Sequence, residues 1–85
     1  MTQFTIVVPT LNESENIDLL LTRLFALDIP SEKFEIIVVD DGSTDGTPDK
    51  VRAWEKRAQV HLIERKDTPD LTASILTGVA AAHSD

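Results

Sequence analysis

Cysteine and tyrosine are absent from this sequence, and glycine occurs only three times in 85 residues. Without cysteine the chain can form neither a disulfide nor a thiolate metal site, and we expect a reducing, cytoplasmic location. The scarcity of glycine matters after the first apolar run, where the sequence reads PTLNE from residue 9 to residue 13. A dinucleotide site needs Gly-x-Gly-x-x-Gly at that point and a P-loop needs Gly-x-x-x-x-Gly-Lys, so both are excluded.

Positive charge and long apolar runs are also scarce. Eight Lys and Arg residues stand against fifteen Asp and Glu residues, which gives a net charge of −7. That balance argues against a nucleic-acid-binding surface, because such a surface follows phosphates with basic side chains. No apolar run approaches the roughly 20 residues that a bilayer-spanning helix needs, and the first residues do not resemble a secretory signal. The length predicts one small domain over residues 1–85.

Short β-branched runs alternate with amphipathic segments along the chain. Strands are predicted over residues 4–8, 34–39 and 60–63, and helices are predicted to begin near Ile17, Thr47 and Leu71. The order β-α-β-α-β-α predicts an α/β fold with three layers, in which helices cover an open, mostly parallel sheet. In such sheets, ligands bind beyond the carboxyl ends of the strands.

Local signals predict where these elements begin and end. Pro9 is expected to end the first strand, since proline cannot donate to a ladder. Asn12 and Glu15 resemble a capping box for the first helix, and Thr47 resembles the N-cap of the second. In the third helix, whose apolar positions include Leu71, Ile75 and Val79, Gly78 is expected to allow close packing on the sheet.

The two histidines and the single tryptophan are predicted to have no ligand role. Trp54 is three residues after Val51 in a predicted helix, so we expect it in the core. His61 alternates with apolar neighbours in a predicted strand, so we expect an outward or a cross-strand position for it, and His83 should be solvated. The two histidines have no spacing typical of a metal site.

The second predicted strand ends in the stretch VVDDGSTDGT, residues 38–47. Carboxylates at strand ends are strong acceptors for sugar hydroxyls and for the ring N–H of a base. Glu13 and this acidic pair are therefore better suited to a base and ribose than to a naked phosphate, and a diphosphate would need a metal ion. Neighbouring side chains in a strand point opposite ways, so one aspartate of the pair reaches a given ligand. On the acidic pair alone, a loop that only closes the turn explains the stretch equally well.

The two motifs together resemble a known family. A strand followed by PTLNE, and about 25 residues later VVDDGSTD, is similar to the start of family-two glycosyltransferases with the GT-A, Rossmann-like fold. The dolichyl- or polyprenyl-phosphate mannosyltransferase type is the most similar. Arg65, followed by a helix that contains Ala73 and Gly78, continues the pattern, so the resemblance covers essentially the whole chain.

The resemblance implies a role for each matching residue. Pro9, Leu11 and Glu13 would line the nucleotide pocket, and Val39 and Asp41 would hold the base, with Asp41 accepting a ring N–H. In addition, Asp40 would brace the loop and Arg65 would approach the diphosphate. The sequence departs from the family pattern at Leu11, where an aromatic residue is usual, and at Asp70-Leu71, where Gly-Leu is usual.

The implied activity is hexose transfer from a UDP- or GDP-sugar to an acceptor, with a lipid phosphate at a membrane surface as one acceptor class. The full enzyme is expected to use Mg²⁺ or Mn²⁺, which this chain alone is not expected to bind. The family's metal-binding Asp-x-Asp and catalytic base would lie beyond Asp85, so we expect a truncated nucleotide-sugar-binding half that is inactive alone. The alternative is an inert α/β module that forms homo-oligomers through open sheet edges and uncovered apolar surface.

Overall fold

The computed structural model describes residues 2–83 as a three-stranded sheet with helices on both faces. Met1, Ser84 and Asp85 of the predicted domain lie outside the described residues. None of the helices within residues 2–83 combines the length and the apolar character that crossing a membrane requires. The elements are β1 (Phe4–Thr10), α1 (Ile17–Phe25), a 3-10 turn (Ser31–Lys33), β2 (Phe34–Asp40), α2 (Thr47–Glu55), β3 (Val60–Glu64) and α3 (Leu71–Ala81). The predicted α/β class and the predicted order of elements are confirmed.

The sheet is parallel, and β2 lies in its centre. Val8 of β1 pairs with Val38 of β2, and Val38 pairs with Leu62 of β3. All seven residues of β2 are buried, which explains why its sequence is an almost continuous apolar run instead of an alternating one. Within the described residues, β1 and β3 form the two edges of the sheet.

The larger part of the core lies between the sheet and the helices α1 and α2. Ile17 and Leu21 of α1 and Val51 of α2 are almost fully buried against this face. Trp54 is 8% exposed, its ring is stacked on that of Phe25 at 5.8 Å, and its Nε1 donates to Asp18 Oδ1 at 2.9 Å. The prediction that Trp54 belongs to the core is confirmed.

The opposite face of the sheet is covered by α3, which approaches it closely at Gly78. A Cβ atom at this position would lie 2.4 Å from Val7 Cγ1 and 3.2 Å from Val39 Cγ2. No side chain fits in that space, so the predicted close packing is confirmed.

This close packing also decides which side of α3 faces the sheet. The buried residues of α3 are Ser74 and Gly78, while Leu71, Ile75 and Val79 are 64%, 40% and 58% exposed. The spacing of these apolar residues thus predicted the helix correctly, but the residues themselves lie on its outer surface.

The predicted roles of Pro9, Asn12 and Thr47 at the ends of elements are wrong, although α1 and α2 begin at the predicted residues. Pro9 lies inside β1 and pairs with Val39, which is possible because an edge strand does not need every N–H donor. Asn12 is not a helix cap: α1 begins at Ile17, and Asn12 has a φ of 55° in the preceding loop. Thr47 is the first residue of α2 instead of its N-cap, which is Gly46 at a φ of 92°.

Candidate functional site

Hydrogen bonds join the loop after β1 to the loop after β2. The Asn12 backbone N–H donates to Ser43 Oγ at 2.8 Å, and Asn12 Oδ1 accepts from the Thr44 N–H at 2.9 Å. The Ser14 N–H donates to Asp45 Oδ2 at 3.0 Å. The polar side chains that suggested helix caps therefore connect the two loops and hold the carboxyl end of the sheet together.

Asp40 is the brace of this region, as predicted. Its side chain is almost fully buried, and Oδ1 accepts from Thr10 Oγ1 at 2.9 Å and from Ser43 Oγ at 2.5 Å. Oδ2 accepts from the backbone N–H groups of Gly42 at 3.2 Å and Ser43 at 2.9 Å. Four donors satisfy the acceptor capacity of a carboxylate, so none is left for a ligand.

Asp41 points away from Asp40 and contacts the segment that follows β3. Asp41 is 5% exposed. Oδ1 accepts from Arg65 Nη1 in a buried ion pair, and Oδ2 accepts from the Asp70 N–H at 2.5 Å. Each carboxylate oxygen has two lone pairs, so Asp41 retains capacity for a further donor. Arg65, which the resemblance implied at a diphosphate, is paired with Asp41 here.

A cavity of about 290 Å³ opens beside Asp41 at the carboxyl ends of β1 and β2. We call it the Asp41 pocket, and its lining residues are Pro9, Thr10, Leu11, Asp41, Pro69, Asp70, Leu71 and Ser74. Ser74 is completely buried, and its Oγ is the one buried side-chain polar atom within residues 2–83 that lacks a hydrogen-bond partner. A buried hydroxyl without a partner is costly.

The structure brings together some of the predicted site residues and separates others. Pro9, Leu11 and Asp41 line the Asp41 pocket. Glu13 lines a neighbouring cavity of about 220 Å³ that shares Pro9 with it. The Val39 side chain is fully buried in the sheet beneath Gly78. The ligand roles of these residues remain predictions.

Sequence reasoning missed the residues that the start of α3 contributes to the pocket. Asp70 caps α3, since its Oδ1 accepts from the Ala73 N–H at 3.1 Å, and its own N–H binds Asp41. Pro69, Leu71 and Ser74 complete that wall. The available signal was topological: the loop after β3 lies at the same edge of the sheet as the other two loops. Nothing in the sequence marks Ser74, because a serine in a helix is usually exposed.

The acidic residues at the strand ends do not form a ligand set for Mg²⁺ or Mn²⁺. The oxygens of Asp40 are saturated by four donors, and those of Asp41 contact Arg65 and Asp70. Across the described part of the chain, three potential ligand side chains come together at one place only, which is at Glu35, His61 and His83. The Asp41 pocket therefore offers no divalent-ion site built from protein ligands alone.

Asp45 links the two loops through a carboxylate whose pKa is depressed. The Thr47 hydroxyl donates to its Oδ1 at 2.5 Å and is the main reason why the pKa of Asp45 falls to about 2. The N–H groups of Ser14 and Thr47 lower the pKa further, against a partial desolvation that raises it. The same Thr47 hydroxyl accepts from the Glu13 N–H at 3.0 Å.

We expect Asp45 to contribute to stability in a pH-dependent way. Its folded-state pKa lies below the unfolded value of 3.8, so its contribution is fully present above that value and is lost as the pH falls through about 2. Asp45→Asn should thus be less stable than the wild type at pH 7. The difference in unfolding free energy between the two proteins should shrink between pH 4 and pH 2. Urea denaturation at each pH measures this difference. Asp49→Asn, at a side chain that is 85% exposed, is the matched control. An Asp45 carboxyl that titrates near pH 4 by carbon-13 NMR would contradict this prediction.

Comparisons with known proteins show the family to which this chain is related. The model of the family described as Glycosyl transferase family 2 matches residues 5–85. Validoxylamine A glucosyltransferase from Streptomyces hygroscopicus is 37% identical over 80 residues, which are 94% of this chain and 19% of that protein. Dolichol-phosphate mannosyltransferase from Saccharomyces cerevisiae is 37% identical over 79 residues, 89% of this chain and 30% of that protein. The chain thus spans between a fifth and a third of the length of these relatives.

Two solved structures share the fold. The mannosyltransferase PcManGT from Pyrobaculum calidifontis, in complex with GDP-Man and Mn²⁺, superposes with a TM-score of 0.86 at 34% identity, over 94% of this chain and 24% of that one. TarS 1-349 from Staphylococcus aureus, in complex with UDP-GlcNAc, superposes with a TM-score of 0.85 at 28% identity, over 98% of this chain and 24% of that one. The predicted GT-A, Rossmann-like fold is confirmed.

Proposed function

Because the chain belongs to glycosyl transferase family 2, we propose that it is the nucleotide-sugar-binding part of a glycosyltransferase. The full enzyme would transfer a hexose from a UDP- or GDP-sugar to an acceptor. The observation that carries this proposal is the buried Asp41 carboxylate, which lines a pocket at the carboxyl ends of β1 and β2. Parallel α/β sheets bind their ligands at this edge.

Asp41 is suited to hold a base that has a ring N–H. Uracil offers N3–H and guanine offers N1–H, and a charged acceptor makes such a hydrogen bond about twice as strong as a neutral one. Arg65 and the Asp70 N–H hold the carboxylate in place from the side of β3 and α3. The ring edge would approach from the opposite side, where Pro9 and Leu11 provide apolar contacts.

The size of the pocket favours the nucleoside over the whole donor. Its volume of about 290 Å³ lies at the lower limit of ordinary small-molecule sites. We propose that the base and ribose occupy the Asp41 pocket and that the diphosphate and sugar extend out of it. The transfer step would then use residues outside this chain, which spans 19% of the validoxylamine A glucosyltransferase.

The proposed acceptor is a polyprenyl phosphate, because two relatives are dolichol-phosphate mannosyltransferases. A diphosphate needs a cation to balance its charge, and the related PcManGT complex contains Mn²⁺ beside GDP-Man. The residues of the Asp41 pocket provide no ligand set for such an ion. We therefore propose that Mg²⁺ or Mn²⁺ in the full enzyme depends on ligands outside these 85 residues.

Calorimetric titration with four nucleoside diphosphates tests the proposal. UDP or GDP should bind at least about tenfold more tightly than ADP and CDP, because adenine and cytosine have no ring N–H for Asp41 to accept. UDP-GlcNAc and GDP-Man, each with and without Mn²⁺, then identify the preferred donor. Equal binding of all four diphosphates, or no binding by any, would contradict the proposal.

Ser74→Ala isolates the contribution of the unpartnered hydroxyl. The loss of one neutral hydrogen bond should weaken nucleotide binding by about 2- to 12-fold. Stability should stay the same or rise, because the variant removes a buried polar atom that has no partner in the free protein. Thr72→Ala, at an exposed position of the same helix, should change neither quantity. A Ser74 variant that loses stability and keeps its affinity would show that the hydroxyl has only a structural role.

Self-association is a second candidate role, and the surface of α3 favours it. Leu71, Leu76 and Val79 are 64%, 62% and 58% exposed on this helix, and exposed apolar surface can mark a contact site between proteins. We propose a second copy of the chain as the occupant. Light scattering at high concentration should detect a dimer that Leu76→Glu dissociates. A monomer at all concentrations would exclude this role.

A further inference from the structure

A cluster of metal-ligating side chains lies at the end of the sheet opposite the Asp41 pocket. Glu35 is the second residue of β2, His61 is the second residue of β3, and His83 follows the end of α3. One carboxylate oxygen and one nitrogen from each ring all lie within 4.8 Å of one another. His83 Nδ1 is 3.1 Å from both oxygens of Glu35, and the two histidine rings are 5.7 Å apart. We call these three residues the Glu35 cluster.

The topology of the sheet explains why residues so distant in sequence meet. His61 pairs with Ile37 of β2, and Glu35 points to the same face because side chains alternate along a strand. On that face α3 packs against Val7 and Val39 and runs back toward the beginnings of the strands, where it delivers His83. At 1.5 Å per residue, α3 separates the cluster from the Asp41 pocket by about 16 Å.

Glu35 is a buried carboxylate whose basic partner is His83. It is 2% exposed, and its contacts are the His83 N–H at 3.0 Å, the His83 ring and Thr5 Oγ1 at 3.5 Å. Within residues 2–83, the basic side chain paired with Glu35 is that of His83. A buried charge is stable when it is paired or coordinates a metal.

We propose that the Glu35 cluster binds a divalent first-row transition ion of the Zn²⁺ type, through one Glu35 oxygen and one nitrogen from each of His61 and His83. Two imidazoles and one carboxylate are a ligand set that Zn²⁺ accepts, with bonds of about 2.0–2.2 Å. In a tetrahedral site, neighbouring ligand atoms then lie roughly 3.4 Å apart. The pair of His83 Nδ1 and Glu35 already has this spacing, at 3.1 Å, and the exposed His61 side chain can close the remaining distance by a rotamer change.

The surroundings leave room for a fourth ligand. The cluster lines a cavity of about 530 Å³, to which Glu55 also contributes. Three protein ligands and one position open to water are typical of an accessible zinc site. Mg²⁺ and Ca²⁺ prefer oxygen ligands, so these two ions should not bind here. The site is independent of the nucleotide proposal, because none of its residues lines the Asp41 pocket.

The test is a titration of the chain, produced without a polyhistidine tag, with Zn²⁺ and then Co²⁺. Calorimetry should give one Zn²⁺ per chain, and Zn²⁺ should raise the melting temperature because it binds the folded state. Co²⁺ should produce the visible absorption bands of a tetrahedral site, and Mg²⁺ should have no effect. His61→Asn and His83→Asn should each weaken Zn²⁺ binding by roughly 100-fold or more, since a lost ligand costs more than a lost second-shell partner.

The controls separate the site from adventitious surface binding. Glu32→Gln, at an exposed carboxylate, should bind Zn²⁺ as the wild type does, and Glu35→Gln should not. If Glu35→Gln fails to fold, the two histidine variants decide the question, because both side chains are exposed. The proposal is overturned by an absence of 1:1 binding, by one ion per two chains, or by unchanged affinity in both histidine variants. His61→Asn should leave nucleotide binding unchanged, so failure of one proposal is distinguishable from failure of the other.

Discussion

Asp41→Asn is expected to weaken the binding of UDP or GDP by roughly 10- to 100-fold, and to destabilise the fold by about 3–5 kcal/mol. The affinity falls because a neutral amide replaces the charged acceptor for the ring N–H. The stability falls because the Arg65 side chain, which is 11% exposed, would retain a buried charge without its partner. Such a loss is a large part of the 5–15 kcal/mol that stabilises a typical domain. Calorimetry and urea denaturation measure the two effects separately.

A second substitution separates the ligand role of Asp41 from its structural role. Asp41→Asn combined with Arg65→Gln removes both charges, so it should recover much of the lost stability while nucleotide affinity stays low. Asp67→Asn is the matched control. The Asp67 side chain is 88% exposed, and its Oδ2 lies 3.9 Å from Arg65 Nη2. Because exposed ion pairs contribute little to stability, this variant should resemble the wild type. An Asp41→Asn protein that is folded by NMR and keeps the wild-type affinity would refute the ligand role.

Gly78→Ala is expected to destabilise the protein by about 1–3 kcal/mol, although alanine is the better helix former by about 1 kcal/mol. The new methyl group would lie 2.4 Å from Val7 Cγ1 and 3.2 Å from Val39 Cγ2. Valine is short and stiff at χ1, so relief requires α3 to move away from β1 and β2. Because Ser74 of α3 and the N-cap residue Asp70 line the pocket, nucleotide affinity should fall as well.

Removal of the obstructing side chain should rescue this variant. In Gly78→Ala combined with Val7→Ala, the loss of stability should be smaller than the sum of the two single losses, because the methyl groups no longer collide. Thr72→Ala, at an exposed site on α3, should stay within about 0.5 kcal/mol of the wild type. Additive losses in the double variant would show that the contact at Gly78 is not the cause.

The order of the elements could be predicted because strands and helices differ in the spacing of their apolar residues. The apolar run over residues 34–39 predicted the strand β2, all of whose residues are buried. The α3 helix was predicted from Leu71, Ile75 and Val79, but the packing at Gly78 turns these residues outward. A hydrophobic pattern reports where a helix is; it does not report which face fits closely against a particular sheet.

Part of the candidate site could likewise be predicted from the sequence, and part of it could not. The resemblance to the family implied Pro9, Leu11 and Asp41, and these residues line the Asp41 pocket. Ser74 and the pairing of Arg65 with Asp41 could not be predicted, since they depend on the position of α3 above the sheet.

Asn12 and the histidines illustrate the same limit. Asn12 was predicted as a local helix cap. Its side chain instead accepts a hydrogen bond from the backbone N–H of Thr44, which is distant in sequence. The Glu35 cluster was missed because His61 and His83 meet only through the register of β3 and the path of α3.

An NMR titration of the nitrogen-15-labelled chain with UDP and with GDP tests the central claim most directly. One of these nucleotides is expected to shift the amide signals of Leu11, Asp41, Asp70 and Ser74, which line the Asp41 pocket. The signals of Glu35 and His61, at the other end of the sheet, should not move. Saturable shifts at the Glu35 end, or no shift of the pocket signals with either nucleotide, would contradict the assignment of the Asp41 pocket as the nucleotide site.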